Sequence, residues 1–186
     1  MSNVDHETEL MRRTAKGDAV AFRALADLHL AKIMNYAHRL LHNRTDAEDV
    51  AQETFLRLWK DAGRYEPKAR VTTWLHRIAH NLCIDRMRGR REEPKAEMDE
   101  ERTSQEPGGL LDRKRVALEV GRALETLPER QRAAITLVHY QGLTNIEAAA
   151  VLDVNVDALE SLLARARRSL REKLGQIEGQ EVDREA

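Results

Sequence analysis

Residues 74–91 read WLHRIAHNLCIDRMRGRR, and at helical spacing this run has two faces of opposite character. Leu75, Ile78, Ala79 and Leu82 share one side, the spacing of a core-facing stripe. Arg77, Asn81, Ile84, Arg88 and Arg91 follow at i, i+4, i+7, i+11 and i+14 on roughly the opposite side, with Trp74 at the border. Such a helix points apolar groups inward and carries guanidinium groups, an amide and an indole on its outer rim. That chemistry suits a phosphate backbone flanked by unstacked bases, because arginine neutralises phosphate and an aromatic face receives a base. The competing reading is a solvated basic face on an ordinary surface helix.

The charge pattern around the helix favours nucleic acid. The net charge of −1 conceals a segregation along the chain. From Asp61 to Glu92, eight basic residues (Arg64, Lys68, Arg70, Arg77, Arg86, Arg88, Arg90 and Arg91) stand against four acids. From Glu93 to Asp112, seven acids stand against Lys95 and Arg102. A nucleic-acid-binding region followed by an acidic linker gives this asymmetry. The linker stretch EEPKAEMDEERTSQEPGG (residues 92–109) has two prolines, two glycines and no apolar period, the composition of a segment that does not fold alone. With 34% charged and 4% aromatic residues and no alternating strand-like run, the expected fold class is all-α. Two small helical domains are expected, over 1–92 and 113–175, with a flexible acidic linker over 93–112 and a polar, frayed tail over 176–186. Cys83 is the only cysteine, so no intrachain disulfide is possible and a reducing cytosol is implied. MSNVDHETELMRR lacks the apolar centre of a signal peptide, and no run is long enough to span a membrane. The expected location is the cytoplasm, without membrane insertion.

Capping signals mark the elements. Thr8 to Lys16 reads as a short helix stopped by Gly17. Asp18 caps the next helix, whose Phe22, Leu25, Leu28, Ile33, Tyr36 and Leu40 have core-like spacing. Thr45 and Glu48 make a T-x-x-E capping box opening a helix over Asp46 to Asp61, with Val50, Phe55, Leu58 and Trp59 on its apolar side. Asp46, Glu48, Asp49, Gln52 and Glu53 make its first half acidic and polar, which the helix dipole alone would tolerate. A Gly63–Lys68 loop carries Tyr65 into the 74–91 run. Beyond the linker, helices are expected over Leu111–Thr126, Pro128–Gln141, Thr144–Leu152 and Asn155–Leu174. Thr144 with Glu147 forms another capping box. The last two helices, joined by LDVN, have helix-turn-helix spacing.

Taken in order, these motifs resemble an extracytoplasmic-function (ECF) sigma factor of bacterial RNA polymerase, over nearly all of residues 10–174. AKGDAVAFRAL is similar to the family's opening helix pair, and DAEDVAQETFLRLWK to the segment that binds the polymerase clamp. TTWLHRIAHNLCIDRMRGRR is similar to the promoter-melting segment. LETLPERQRAAITLVHYQGLTNIEAAAVLDV and LLARARRSL are similar to the domain that reads the upstream promoter element. The resemblance implies a protein that is not an enzyme, needs no cofactor or metal, and lends promoter specificity to core RNA polymerase. It implies control by an anti-sigma factor, in a stress response. Asp46, Glu48, Asp49, Gln52 and Glu53 would face the polymerase clamp, where an acidic patch can steer association. Tyr65, Trp74, Arg77 and Asn81 would lie near the opened minus-ten strand, where a base leaves the stack. Arg86, Arg88, Arg90 and Arg91 would hold phosphates, and the linker would thread the RNA channel. The second domain departs from the pattern. Glu160 and Leu162 flank Ser161 where basic residues are usual, and Asp153 and Asp157 replace common glycines. Asp157, Glu160, Ser161, Arg165 and Arg168 would face the minus-thirty-five DNA, with phosphates left to Arg165, Arg167, Arg168 and Arg171. Glu160 can accept from a cytosine amino group, and an exposed Leu162 would suit a protein partner.

Three other readings compete. His76, His80 and Cys83 at i, i+4 and i+7 are a candidate zinc set, although HRIAH lacks a metalloprotease glutamate; the plainer reading of the thiol is core packing. The helix-turn-helix alone would fit a transcription regulator without a sigma role, but residues 1–92 offer no sensor pattern. The third is a purely protein-binding helical module, against which the basic face beside Trp74 and Tyr65 argues.

Overall fold

The computed structural model describes residues 3–92 and 119–182, with side chains for 4–90 and 119–175. The linker and the ends of the chain lie outside that range. The described residues are helical, with no strand among them. The first half is α1 (Asn3–Thr14), α2 (Ala19–Leu41), α3 (Arg44–Asp61), a 3₁₀ turn (Ala62–Arg64) and α4 (Val71–Glu92). The second half is α5 (residues 119–125), α6 (Glu129–Ile135) running into a π-turn (Thr136–Tyr140), α7 (Asn145–Leu152) and α8 (Val156–Val182).

Local chemistry sets these boundaries. Gly17 holds φ +82 between α1 and α2, a conformation open to glycine at little cost. Asp18 caps α2 by accepting from the Val20 and Ala21 amides. At α3 the cap is Asn43, whose side chain accepts from the Asp46 amide, and the helix opens at Arg44. The expected Thr45 box is therefore replaced by an asparagine two residues upstream, and Glu48 pairs with Arg44 at 3.0 Å instead. Pro128 stands at the N-cap of α6 rather than inside its first turn. The Thr144–Glu147 box at α7 forms as read. α8 continues through Val182, so the expected frayed tail is helical for most of its length.

α2 is the axis of the first half and packs against α1, α3 and α4. Leu25, Ile33, Tyr36 and Leu40 are fully buried along it. Leu28, expected in the core, is exposed; the core position beside it is taken by His29, which faces Glu7 of α1 at 3.3 Å. Burial disfavours the charged imidazole and lowers the pKa of His29, with Glu7 opposing that shift. The halves are not separate bodies: buried apolar residues of both form one continuous cluster, and α7 packs against α4.

Arg132 of α6 binds them at a defined point. It donates to the Leu40 carbonyl at 3.0 Å and to the Glu125 carbonyl at 3.1 Å. Leu40 lies in the last turn of α2, where helix carbonyls have no partner within the helix. Arg39 adds a cation–π contact, its guanidinium 3.7 Å from the Tyr140 ring centre.

Candidate nucleic-acid interface

α4 buries Val71, Thr72, Thr73, Leu75, His76, Ala79 and Cys83, while Ile78 and Leu82 are half-buried. Its outer ridge carries Arg77, Asn81 and Arg88, all exposed, with Ile84 half-buried among them. Arg91 lies beyond the described side chains. At the N-terminal end, Trp74 meets Tyr65 edge-on at 5.9 Å, and the Tyr65 hydroxyl donates to the Ala69 carbonyl at 2.7 Å. That bond fixes the loop, so both rings are held where the ridge begins. Tyr65, Trp74, Arg77, Asn81 and Arg88 therefore run along one side of one helix and its preceding loop.

The second half faces this ridge. Arg77 approaches Asp153 in the helix-turn-helix turn at 3.8 Å, and Arg70 reaches Glu147 of α7 at 3.5 Å. A cleft of about 600 Å³ opens between the halves, walled by Arg77, Asn81 and Arg88 on one side and Arg130 and Asp153 on the other. Asp153 is 91% exposed, so its pairing with Arg77 is screened and worth little.

The acidic start of α3 divides in two. Asp46 turns inward to α4: Arg86 reaches it at 2.5 Å, and Arg90 makes a further bond to it. Arg86 also bonds Asp49 at 3.0 Å, and Arg90 donates to the Leu41 carbonyl at 3.4 Å. Asp46 is thus an internal tie rather than an outward contact, and Arg86 and Arg90 are committed to it rather than free for phosphate. Glu53 pairs with Arg57 at 2.9 Å along its own helix. Asp49, Gln52, Leu56 and Trp59 share an outward strip, with Leu56 45% and Trp59 40% exposed. Trp59, expected in the core, packs edge-on against Phe22 at 5.2 Å and leaves one face to solvent. Leu56 carried no signal beyond its spacing from Trp59.

In the second half, Asp153 ends α7 in a left-handed conformation (φ 53), which aspartate tolerates better than most residues. Asn155 caps α8 by accepting from the Ala158 amide at 2.8 Å. Asp157, Glu160, Ser161, Arg165 and Arg168 are all exposed on α8, and Leu162 is half-buried. The Asn145 side chain donates to Glu160 at 3.3 Å, and Arg167 sits 3.2 Å from His139.

The three candidate metal ligands each have other surroundings. Nδ1 of His76 donates to the Thr72 carbonyl at 2.8 Å, and Nδ1 of His80 meets the Tyr36 hydroxyl at 2.9 Å. Cys83 is buried, and desolvation pushes its thiol up to about 12, outweighing nearby Arg86. Among the described residues no group of three potential ligands converges on one point.

Residues 25–93 match the family model for sigma-70 region 2, and residues 117–170 that for sigma-70 region 4. The chain is 31% identical to the ECF RNA polymerase sigma factor SigW of Bacillus subtilis, over 88% of this chain and 94% of that one. It is 33% identical to SigM of Mycobacterium tuberculosis, over 92% and 86% of the two chains. CnrH, solved in complex with the cytosolic domain of CnrY, superposes with a TM-score of 0.71 at 27% identity, over 92% of this chain and 98% of that one. The sigma factor RpoE of Bartonella quintana, solved with the anti-sigma factor NepR, superposes at 0.69 with 26% identity, over 83% and 96%. A basic helix ridge with an aromatic pair at its head, a helix-turn-helix behind it, and relatives of this identity over nearly their full lengths have one common description: the chain belongs to the extracytoplasmic-function sigma factors of RNA polymerase.

Proposed function

We propose that this sigma factor docks on core polymerase through the exposed strip of α3, opens the minus-ten region along the α4 ridge, and reads the upstream element with α8. The observation that carries this reading is the ridge itself. Tyr65 and Trp74 offer ring surface at one end, Asn81 an amide that can pair with a flipped base, and Arg77 and Arg88 charge for the strand's phosphates. On α3, Glu48, Asp49, Gln52 and Glu53 supply the acidic and polar part of the polymerase contact, and Leu56 and Trp59 its apolar part. As in the family generally, the work is DNA-binding and initiation rather than catalysis, and it is done in the cytoplasm beside the polymerase. No described helix is long and apolar enough to cross a membrane.

The packing of α7 on α4 covers part of the face that the DNA strand would need. A superposition spanning both halves of a sigma factor solved with its anti-sigma factor supports reading this closed packing as the form such a partner would hold. Release, followed by polymerase binding, would then separate the halves. A regulator acting without polymerase is the weaker reading, since it leaves the ridge of α4 without a use.

The test is binding of a labelled single strand, spanning a mapped start site, to the holoenzyme. Trp74→Ala and Asn81→Ala together should weaken binding by roughly 10- to 100-fold, the scale of one lost base stack and its hydrogen bonds. Affinity for core polymerase should stay unchanged. Strand affinity equal to that of the unmodified protein would remove the ridge from the mechanism.

A further inference from the structure

On α8 the exposed residues change character along the helix. Asp157 and Glu160 come first, then Ser161, then Arg165, Arg168 and Arg171, all of them exposed. The N-terminal part of such a helix enters the major groove, while more distal cations meet the backbone. Glu160 is therefore placed among base edges, and a carboxylate there can only accept. The amino groups offered in the major groove are N4 of cytosine and N6 of adenine. They are not equivalent to a carboxylate. Adenine sets the acceptor N7 beside N6, so a carboxylate meets lone pair against lone pair. Cytosine sets a carbon-bound hydrogen beside N4.

Asn145, on the preceding helix, donates to Oε1 of Glu160 at 3.3 Å. It is half-buried at the start of α7, next to the exposed Thr144 cap. The bond spans the helix-turn-helix and restrains a side chain that would otherwise rotate freely. It occupies one carboxylate oxygen and leaves the other to reach a base.

From this geometry we infer that Glu160 is a specificity-determining residue selecting cytosine at one position of the upstream promoter element, with Asn145 as its positioning residue. This rests on the role assigned to α8 above. An acid in the groove also penalises wrong sequences, because an unmatched carboxylate is both desolvated and close to phosphates. The element read by this protein thus differs at that position from one read by a helix with a basic residue there.

The experiment is initiation by the reconstituted holoenzyme on templates randomised upstream of a fixed start, with sequencing of the transcribed templates. The unmodified protein should enrich cytosine at one position by roughly 5- to 30-fold over the other bases, the discrimination of a single direct base contact. Glu160→Gln, which keeps the shape, should move the preference at that position to adenine, since an amide satisfies N6 and N7 together. Asn145→Ala should keep cytosine as the preferred base and reduce its enrichment several-fold, with the preferences at the other upstream positions as in the unmodified protein. Enrichment patterns identical in the unmodified protein and Glu160→Gln would overturn the assignment. So would efficient initiation with no cytosine preference at any upstream position. Absence of protein-dependent initiation on every template would instead count against the sigma role itself, and the two failures are thereby distinct.

Discussion

Asp46 illustrates how a residue's role follows from what faces it rather than from its own type. By sequence it belongs to an acidic patch at the start of a helix. In the fold its carboxylate is 16% exposed and receives both Arg86 and Arg90 from α4, so it fastens the first half internally. Asp49, three residues on, is 51% exposed and shares only Arg86. The expected contrast is that Asp46→Ala costs about 1–2 kcal/mol of stability, because it removes the carboxylate that two partly buried guanidinium groups share and leaves them only Asp49 and the Leu41 carbonyl. Asp49→Ala should cost no more than a few tenths of that and act on polymerase affinity instead. Urea unfolding and core-polymerase binding, run on both variants, separate these outcomes; equal stability losses would mean the two acids do the same job. Nothing in the sequence tells the two apart, since the pairing is made forty residues away on another helix. The outward residues Arg77, Asn81 and Arg88 were legible, because helical period alone fixes which side of α4 they share.

At the scale of single elements, most helix starts were legible because caps are local: Asp18 and the Thr144–Glu147 box work within four residues of themselves. One exception, Asn43 in place of Thr45, reflects two competent caps two residues apart, between which tertiary packing decides. The C-terminus of α2 was not legible. Its carbonyls are taken by Arg132 from α6 and Arg90 from α4, and His42 closes the helix in the left-handed conformation. Burial, and then the positive charges of Arg132 and His38, lower the pKa of His42 to about 4 from 6.5. The imidazole is therefore neutral at pH 7, and its 3.5 Å approach to Glu125 becomes an ion pair only in acid. Between pH 4 and 6.5 the unfolded chain binds more protons than the folded one, so the stability present above 6.5 is lost as pH falls through that window. His80, lowered to about 4 by burial and Arg130, acts in the same direction. The urea midpoint should thus fall between pH 7 and pH 5. His42→Asn suits the left-handed position and cannot be protonated, so it should flatten part of that fall. A pH dependence unchanged by the substitution would show that His42 titrates alike in the folded and unfolded states.

For the whole molecule, the all-α class and the two-part order were readable from period, composition and charge. Their packing into one cluster was not. Contacts such as Arg132 with Leu40, or α7 with α4, join residues on either side of a linker whose own sequence encodes no geometry. In the closed packing α7 lies against α4, the helix assigned above to the DNA strand, so the proposed function has the halves separate, and the exposed Arg77–Asp153 pair resists this little. The most direct measurement is run-off transcription with bacterial core polymerase, with and without this protein, on fragments of the genome that encodes it. Discrete starts that require the protein, and that are lost with Asp49→Arg or with Trp74→Ala and Asn81→Ala together, are the predicted result. Duplex binding in the absence of polymerase, with no starts in its presence, would contradict it.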